Sequence, residues 1–166
     1  MLAEIGYFAL LFAIISALYA IVACLYGERK HLEQWVLSGR NAAYLTFIFV
    51  TVATVALQIA IVGEEYQITY VWSVTNPQMP DFFRWTALWG SQSGSLLFWS
   101  FLMTLFTALA IWLNWKHYRR LMPYAIVYMM AVIVFFLALS VIYENPFERW
   151  WVDSATGDVV SQVLLP

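Results

Sequence analysis

Apolar residues fall in four long blocks along this chain, at about 5–26, 42–63, 94–115 and 122–143, with polar residues gathered between them. A helix needs about 20 predominantly apolar residues to cross a ~30 Å hydrocarbon layer, and each block is long enough. The pattern predicts an all-α integral membrane protein of about four transmembrane helices. The connections differ in kind. Those at 27–41 and 116–120 are short and charged, whereas 64–93 and 144–166 are longer and rich in aromatic rings. The two longer ones predict a small external aromatic/β cap carrying a short interfacial helix.

Within the cap, Tyr66, Ile68, Tyr70, Trp72 and Val74 alternate with Gln67, Thr69, Val71, Ser73 and Thr75. A period of two in β-branched and aromatic residues predicts a strand, ended by Asn76-Pro77. Pro80 and Asp81 suit a helix start, so DFFRWTALW reads as one short helix stopped by Gly90. Its rings, Phe82, Phe83, Trp85 and Trp89, are too many for a free surface helix and should lie along the bilayer interface or against a partner. Asn145-Pro146 stops the fourth span. Thr156-Gly157-Asp158 then suggests a turn between two short strands, one of them able to pair with 66–74. In the 27–41 loop, Leu32, Trp35 and Val36 are spaced for a short interfacial helix. Pro123 suits the first turn of the fourth span, and Tyr7 and Tyr26 are placed for the two interfacial belts.

Composition sharpens the membrane assignment. Hydrophobic residues make up 63% of the chain and charged residues 11%, against roughly 25% charged in a soluble domain. Six of the eight basic residues lie in the two short loops: Arg29, Lys30, Arg40, Lys116, Arg119 and Arg120. Basic loops stay cytoplasmic, so both ends of this chain are expected on the external, periplasmic side of the cell (inner) membrane. The first block follows Glu4 and is too long for a signal-peptide core, so it reads as a retained span.

Candidate chemistry is sparse. Thr46, Thr51 and Thr54 can bond back to their own helix, while the Gln58 amide needs a partner in another helix or a wet cavity. Cys24, the single cysteine, reads as a buried structural thiol. His31 and His117 fall in the basic loops with no ligand set around them. No carboxylate lies in a predicted span, which speaks against an ion pathway. The unusual stretch is WGSQSGSLLFW, residues 89–99, where small and polar residues cluster at the start of the third span. Gly90 ends the preceding helix, and Ser93 or Ser95 can cap the next. Small residues also let a backbone or a flat ligand approach closely.

The order Tyr70-Val71, Pro80, Phe83-Arg84, Trp89-Gly90, Gly94-Ser95-Leu96-Leu97, Trp99 and Asn145-Pro146-Phe147-Glu148-Arg149, with EIGYFAL at 4–10, resembles the start of the CcmF-type proteins of cytochrome c maturation. Ser93 departs from the pattern, which has an acidic residue there. The resemblance implies that 1–166 is a single membrane module, the N-terminal part of a longer architecture, and a fragment or split subunit of a heme lyase. It implies b-type heme as cofactor of the full-length family, whose ligand histidines lie beyond this segment, so this chain has no catalytic residue and is not expected to be active alone. The implied partners are the remainder of the lyase or a split partner subunit, a heme chaperone, a thioredoxin-like subunit presenting apocytochrome, apocytochrome c itself and membrane lipid; nucleic acid is not among them. Trp85, Trp89, Gly90, Gln92, Gly94, Ser95 and Trp99 are the candidate cofactor-binding residues, with no metal ligand. The competing reading is a non-catalytic membrane scaffold subunit of a respiratory or transport complex.

Overall fold

The computed structural model describes residues 1–152 and 159–162. Four long helices dominate it: α1 (Leu2–Lys30), α2 (Glu33–Val62), α5 (Gln92–Asn114) and α6 (Met122–Ile142), all long and apolar enough to cross a membrane. Two short helices, α3 (Thr69–Val74) and α4 (Asp81–Thr86), and a 3₁₀ turn (Ala87–Trp89) connect α2 to α5. After α6, β1 (Arg149–Val152) pairs antiparallel with β2 (Val159–Gln162).

The helices form a ring in which α1 lies against α2 and α6, and α5 against α6 and α2. The α1–α2 seam is built from small residues. On α1, Gly6, Leu10, Ala13, Ala17, Ala20, Cys24 and Gly27 are buried at alternating steps of four and three. Opposite them on α2 stand Val36, Gly39, Ala43, Thr46, Val50, Ala53, Leu57 and Ala60 at the same steps. That spacing keeps one stripe facing the partner helix, and small side chains bring the backbones close enough for dispersion contacts where lipid leaves little hydrophobic gain. Ser16 adds a hydrogen bond across the seam to the Ala42 carbonyl at 2.9 Å. The threonines behave as expected: Thr46, Thr51 and Thr54 donate to the carbonyls of Ala42, Phe47 and Val50.

Several sequence-based expectations need correction. Residues 66–74 are not a strand, because the alternation sorts them onto the wrong faces. Val71, in the polar phase, is fully buried, and Trp72, in the apolar phase, is 65% exposed. Among the described residues, only Ile68 bridges to a strand, at Arg149. The hairpin expected after α6 forms from β1 and β2, while its proposed turn at 156–158 lies outside the described residues. The short helix expected around Leu32–Val36 is the first turn of α2, which runs unbroken from Glu33. Tyr7 is buried rather than at a lipid interface; Tyr26 is exposed.

Two ends of the bundle can be distinguished. One, the cap end, gathers α3, α4, the 3₁₀ turn and β1–β2 around the start of α1, the end of α2, the start of α5 and the end of α6. The other carries the tight 31–32 and 115–121 connections, where Arg40 lies over the Trp115 ring at 4.7 Å and Arg119 pairs with Glu33.

Candidate functional site

The 89–99 stretch sits at the cap end, and its parts have different jobs. The N-terminal cap of α5 is Ser91, with no side-chain bond to the helix; neither Ser93 nor Ser95 serves as the cap. The Ser95 hydroxyl turns back to the Trp89 carbonyl at 3.1 Å. The Ser93 hydroxyl donates to Glu144 Oε2 at 2.9 Å and so joins the start of α5 to the end of α6. An acidic side chain at 93 would meet that carboxylate as a like charge.

Gly94 is buried and faces inward. A Cβ there would collide with the Tyr70 phenol and the Leu88 carbonyl. Tyr70 itself is 4% exposed, and its hydroxyl lies 2.8 Å from both the Ala87 and the Leu88 carbonyl oxygens. Its one hydrogen thus serves the last turn before α5. Burial pushes this phenol up to about 12, because an apolar surround disfavours the phenolate. Glycine at 94 is therefore required by the close approach of α3 and the 3₁₀ turn, and no ligand is needed to explain it.

The remaining candidates face outward. Trp89 and Trp99 are 49% and 59% exposed, Gly90 and Gln92 are exposed and Ser95 is partly so. The Trp89 ring packs on Phe98, in the second turn of α5, at 5.2 Å between centroids. Trp85 stands elsewhere, against α2, where it lines an open pocket of about 270 Å³ with Gln58, Ile59, Val62 and Gly63. The Gln58 amide finds its partner in that neighbourhood, the Arg84 carbonyl at 3.5 Å.

Sequence reading missed how the 145–149 turn holds the cap. The Asn145 side chain accepts the Phe147 N–H at 3.0 Å. This turns Phe147, fully buried, onto Gly6 of α1, where any Cβ would strike its ring. The Glu148 carbonyl accepts the Thr69 N–H at 2.9 Å, and Arg149 reaches Glu4 at 3.3 Å. One five-residue turn thereby joins α1, α3 and α6. The signal was present as NPFER together with the glycine and acid of EIGYFAL, but no spacing along the chain links residues so far apart.

Imidazole is absent from this end of the bundle. The chain has two histidines, and both lie at the opposite end: His31 caps the end of α1 and His117 follows α5. A helix of 23 residues separates them from Trp89 by roughly 35 Å at 1.5 Å per residue. Trp89 and Trp99 present exposed indoles at this end, and neither histidine lies near them.

A family model described as Lycopene cyclase matches residues 6–80 and 95–161. The match takes in α1, α2, α3, α6 and nearly all of α5, and passes over 81–94, where α4 and the WGSQSG stretch lie. Curated relatives cover more. The cytochrome c-type biogenesis protein NrfE of Haemophilus influenzae is 27% identical over 99% of this chain and 26% of its own length. The cytochrome c-type biogenesis protein CcmF of Escherichia coli is 33% identical over 90% of this chain and 23% of its own. Among solved structures, Cytochrome c Heme Lyase CcmF superposes with a TM-score of 0.80 at 20% identity, over 89% of this chain and 25% of that one. The chain thus spans about a quarter of the length of the relatives it matches. The chain belongs to the family that this model describes, and the names of its relatives place it there among the CcmF-type proteins of cytochrome c biogenesis.

Proposed function

We propose that this chain serves cytochrome c-type biogenesis as a membrane component of a heme lyase, presenting the surface on which heme or its carrier protein docks before attachment to apocytochrome c. The observation that carries the proposal is the reach of the Haemophilus relative, named for cytochrome c biogenesis, whose match covers 99% of this chain and so runs through the WGSQSG stretch. The docking surface is formed by Trp89, Gly90, Gln92, Ser95 and Trp99, with Gly94 supporting it from beneath. Its two indoles offer broad apolar faces to a porphyrin, and the exposed Gln92 offers hydrogen bonds to its carboxylates. Heme iron takes its ligands from outside this chain. The partners that follow are the rest of the lyase, a heme chaperone, a thioredoxin-like protein presenting reduced thiols, and apocytochrome c, all meeting the cap end on the periplasmic side of the inner membrane. The cyclase description is not carried over, since the residues it matches are mainly apolar spans and leave out Trp89, Gly90 and Gln92 of the docking surface. The scaffold reading has no observation in its favour.

The test is maturation of a c-type cytochrome, read by heme stain, in cells whose complete protein carries Trp89→Ala or Trp99→Ala. Both should lower maturation several-fold at unchanged membrane levels. Phe106→Ala, also on an exposed part of α5 but two turns deeper, should not. Normal maturation in both tryptophan variants would sink the proposal.

A further inference from the structure

The short helix α4 is inside out by the standards of a water-facing helix. Phe82, Phe83 and Trp85 are 73%, 54% and 59% exposed. Its cation, in contrast, is withdrawn: the Arg84 side chain is 14% exposed, pairs with Glu64 at 2.5 Å and donates to the Pro77 carbonyl at 3.3 Å. In water the opposite arrangement wins, because burying three rings gains several kcal/mol and a guanidinium is best left hydrated. Rings outward with the charge drawn inward is the arrangement for an apolar surround.

The depth of α4 agrees. The Arg84 carbonyl sits beside the Gln58 amide, and Gln58 lies four residues before the end of α2, about 6 Å below it at 1.5 Å per residue. At that level the pocket between Trp85 and α2 is lined by Ile59 and Val62. These two continue an exposed stripe on α2 formed by Ile48, Val52, Val55, Ile59 and Val62, spaced by fours and threes along one face of a helix able to span the membrane. Through Trp85, α4 thus adjoins the apolar flank of a span.

We infer that α4 and the cap end of α2 form a phospholipid-binding surface, with Phe82, Phe83 and Trp85 seated among lipid chains at the membrane–water boundary and one chain occupying the Trp85 pocket. The Arg84–Glu64 pair holds α4 at this depth by fixing it to the first residues beyond α2. This inference stands apart from the docking surface proposed above: Trp89 and Trp99 belong to α5 and its approach, whereas these rings belong to α2.

The experiment places a nitroxide at Phe82→Cys and, separately, at Phe83→Cys in the complete protein, with native cysteines replaced (Cys24→Ala among them). The protein is reconstituted in phosphatidylcholine–phosphatidylglycerol nanodiscs. Collision rates with oxygen, which concentrates in lipid, are compared with those of a water-soluble nickel chelate, and nitroxide-labelled phospholipids calibrate the depth. Both labels should collide several-fold more often with oxygen than with the chelate, and a label at Gln78→Cys should show the reverse. Free access of the chelate to positions 82 and 83 would mean that the rings face water and would overturn the inference. Protection from both reagents would mean that protein covers α4, and would overturn it equally. Neither result bears on maturation in the Trp89 and Trp99 variants.

Discussion

Tyr70 connects the cap to α5 through one phenol. Removing its hydroxyl by Tyr70→Phe leaves the Ala87 and Leu88 carbonyls without that donor, a loss of about 1–3 kcal/mol for buried groups. The phenol also sets a pH dependence. Its folded value of about 12 lies above the ordinary tyrosine value of about 10, so the stabilisation is complete below that ordinary value. It is lost as pH rises through about 12. Thermal unfolding in detergent between pH 9 and 12 should show a falling midpoint, and Tyr70→Phe should start lower and fall less steeply. Equal slopes in the two proteins would show that Tyr70 ionisation does not govern the cap. The glycines of WGSQSG were visible in the sequence as an anomaly, but the reason for Gly94 was not: the ring it makes room for lies 24 positions away.

At the level of elements, the 145–149 turn and the α1–α2 seam answer different needs. The seam is readable in retrospect, since a repeat of small residues at steps of three and four is a property of each helix alone. The turn is not, because Phe147 finds Gly6 and Arg149 finds Glu4 only once α6 has packed beside α1. The ion pair should be interchangeable in sign. Arg149→Glu places two acids together, and adding Glu4→Arg restores the attraction. The single variant should lower the unfolding midpoint and expose the cap to protease, and the double variant should recover part of the loss. With Glu4 47% exposed, solvent screening limits the recovered coupling to about 1 kcal/mol. No recovery in the double variant would assign the holding force to Phe147 alone. The mistaken strand at 66–74 has the same origin as the unread turn. Its alternation is real in the sequence, but packing of α3 against its neighbours buries Tyr70 and Val71 together, which a strand with one face in solvent cannot do.

Across the whole molecule, the basic connections lie at the end opposite the one that gathers α3, α4 and β1–β2. Reporter fusions after Lys30 and after Lys116 should therefore read cytoplasmic, and a fusion at Gln78 periplasmic; a cytoplasmic signal at Gln78 would reverse the assignment on which the docking surface depends. By itself the sequence determined four apolar helices, the asymmetry of charge between their connections, and the motifs that resemble the CcmF-type proteins. These follow from free energies of transfer that add residue by residue along a segment, and from residue identities at fixed order. Only the tertiary structure decided that Gly94 serves Tyr70, that Ser93 binds Glu144 instead of capping α5, that Trp85 belongs to α2, and that α4 draws in its arginine and turns out its rings. Each of those outcomes depends on which side chains from distant segments compete for the same space, and a local pattern carries no record of that competition.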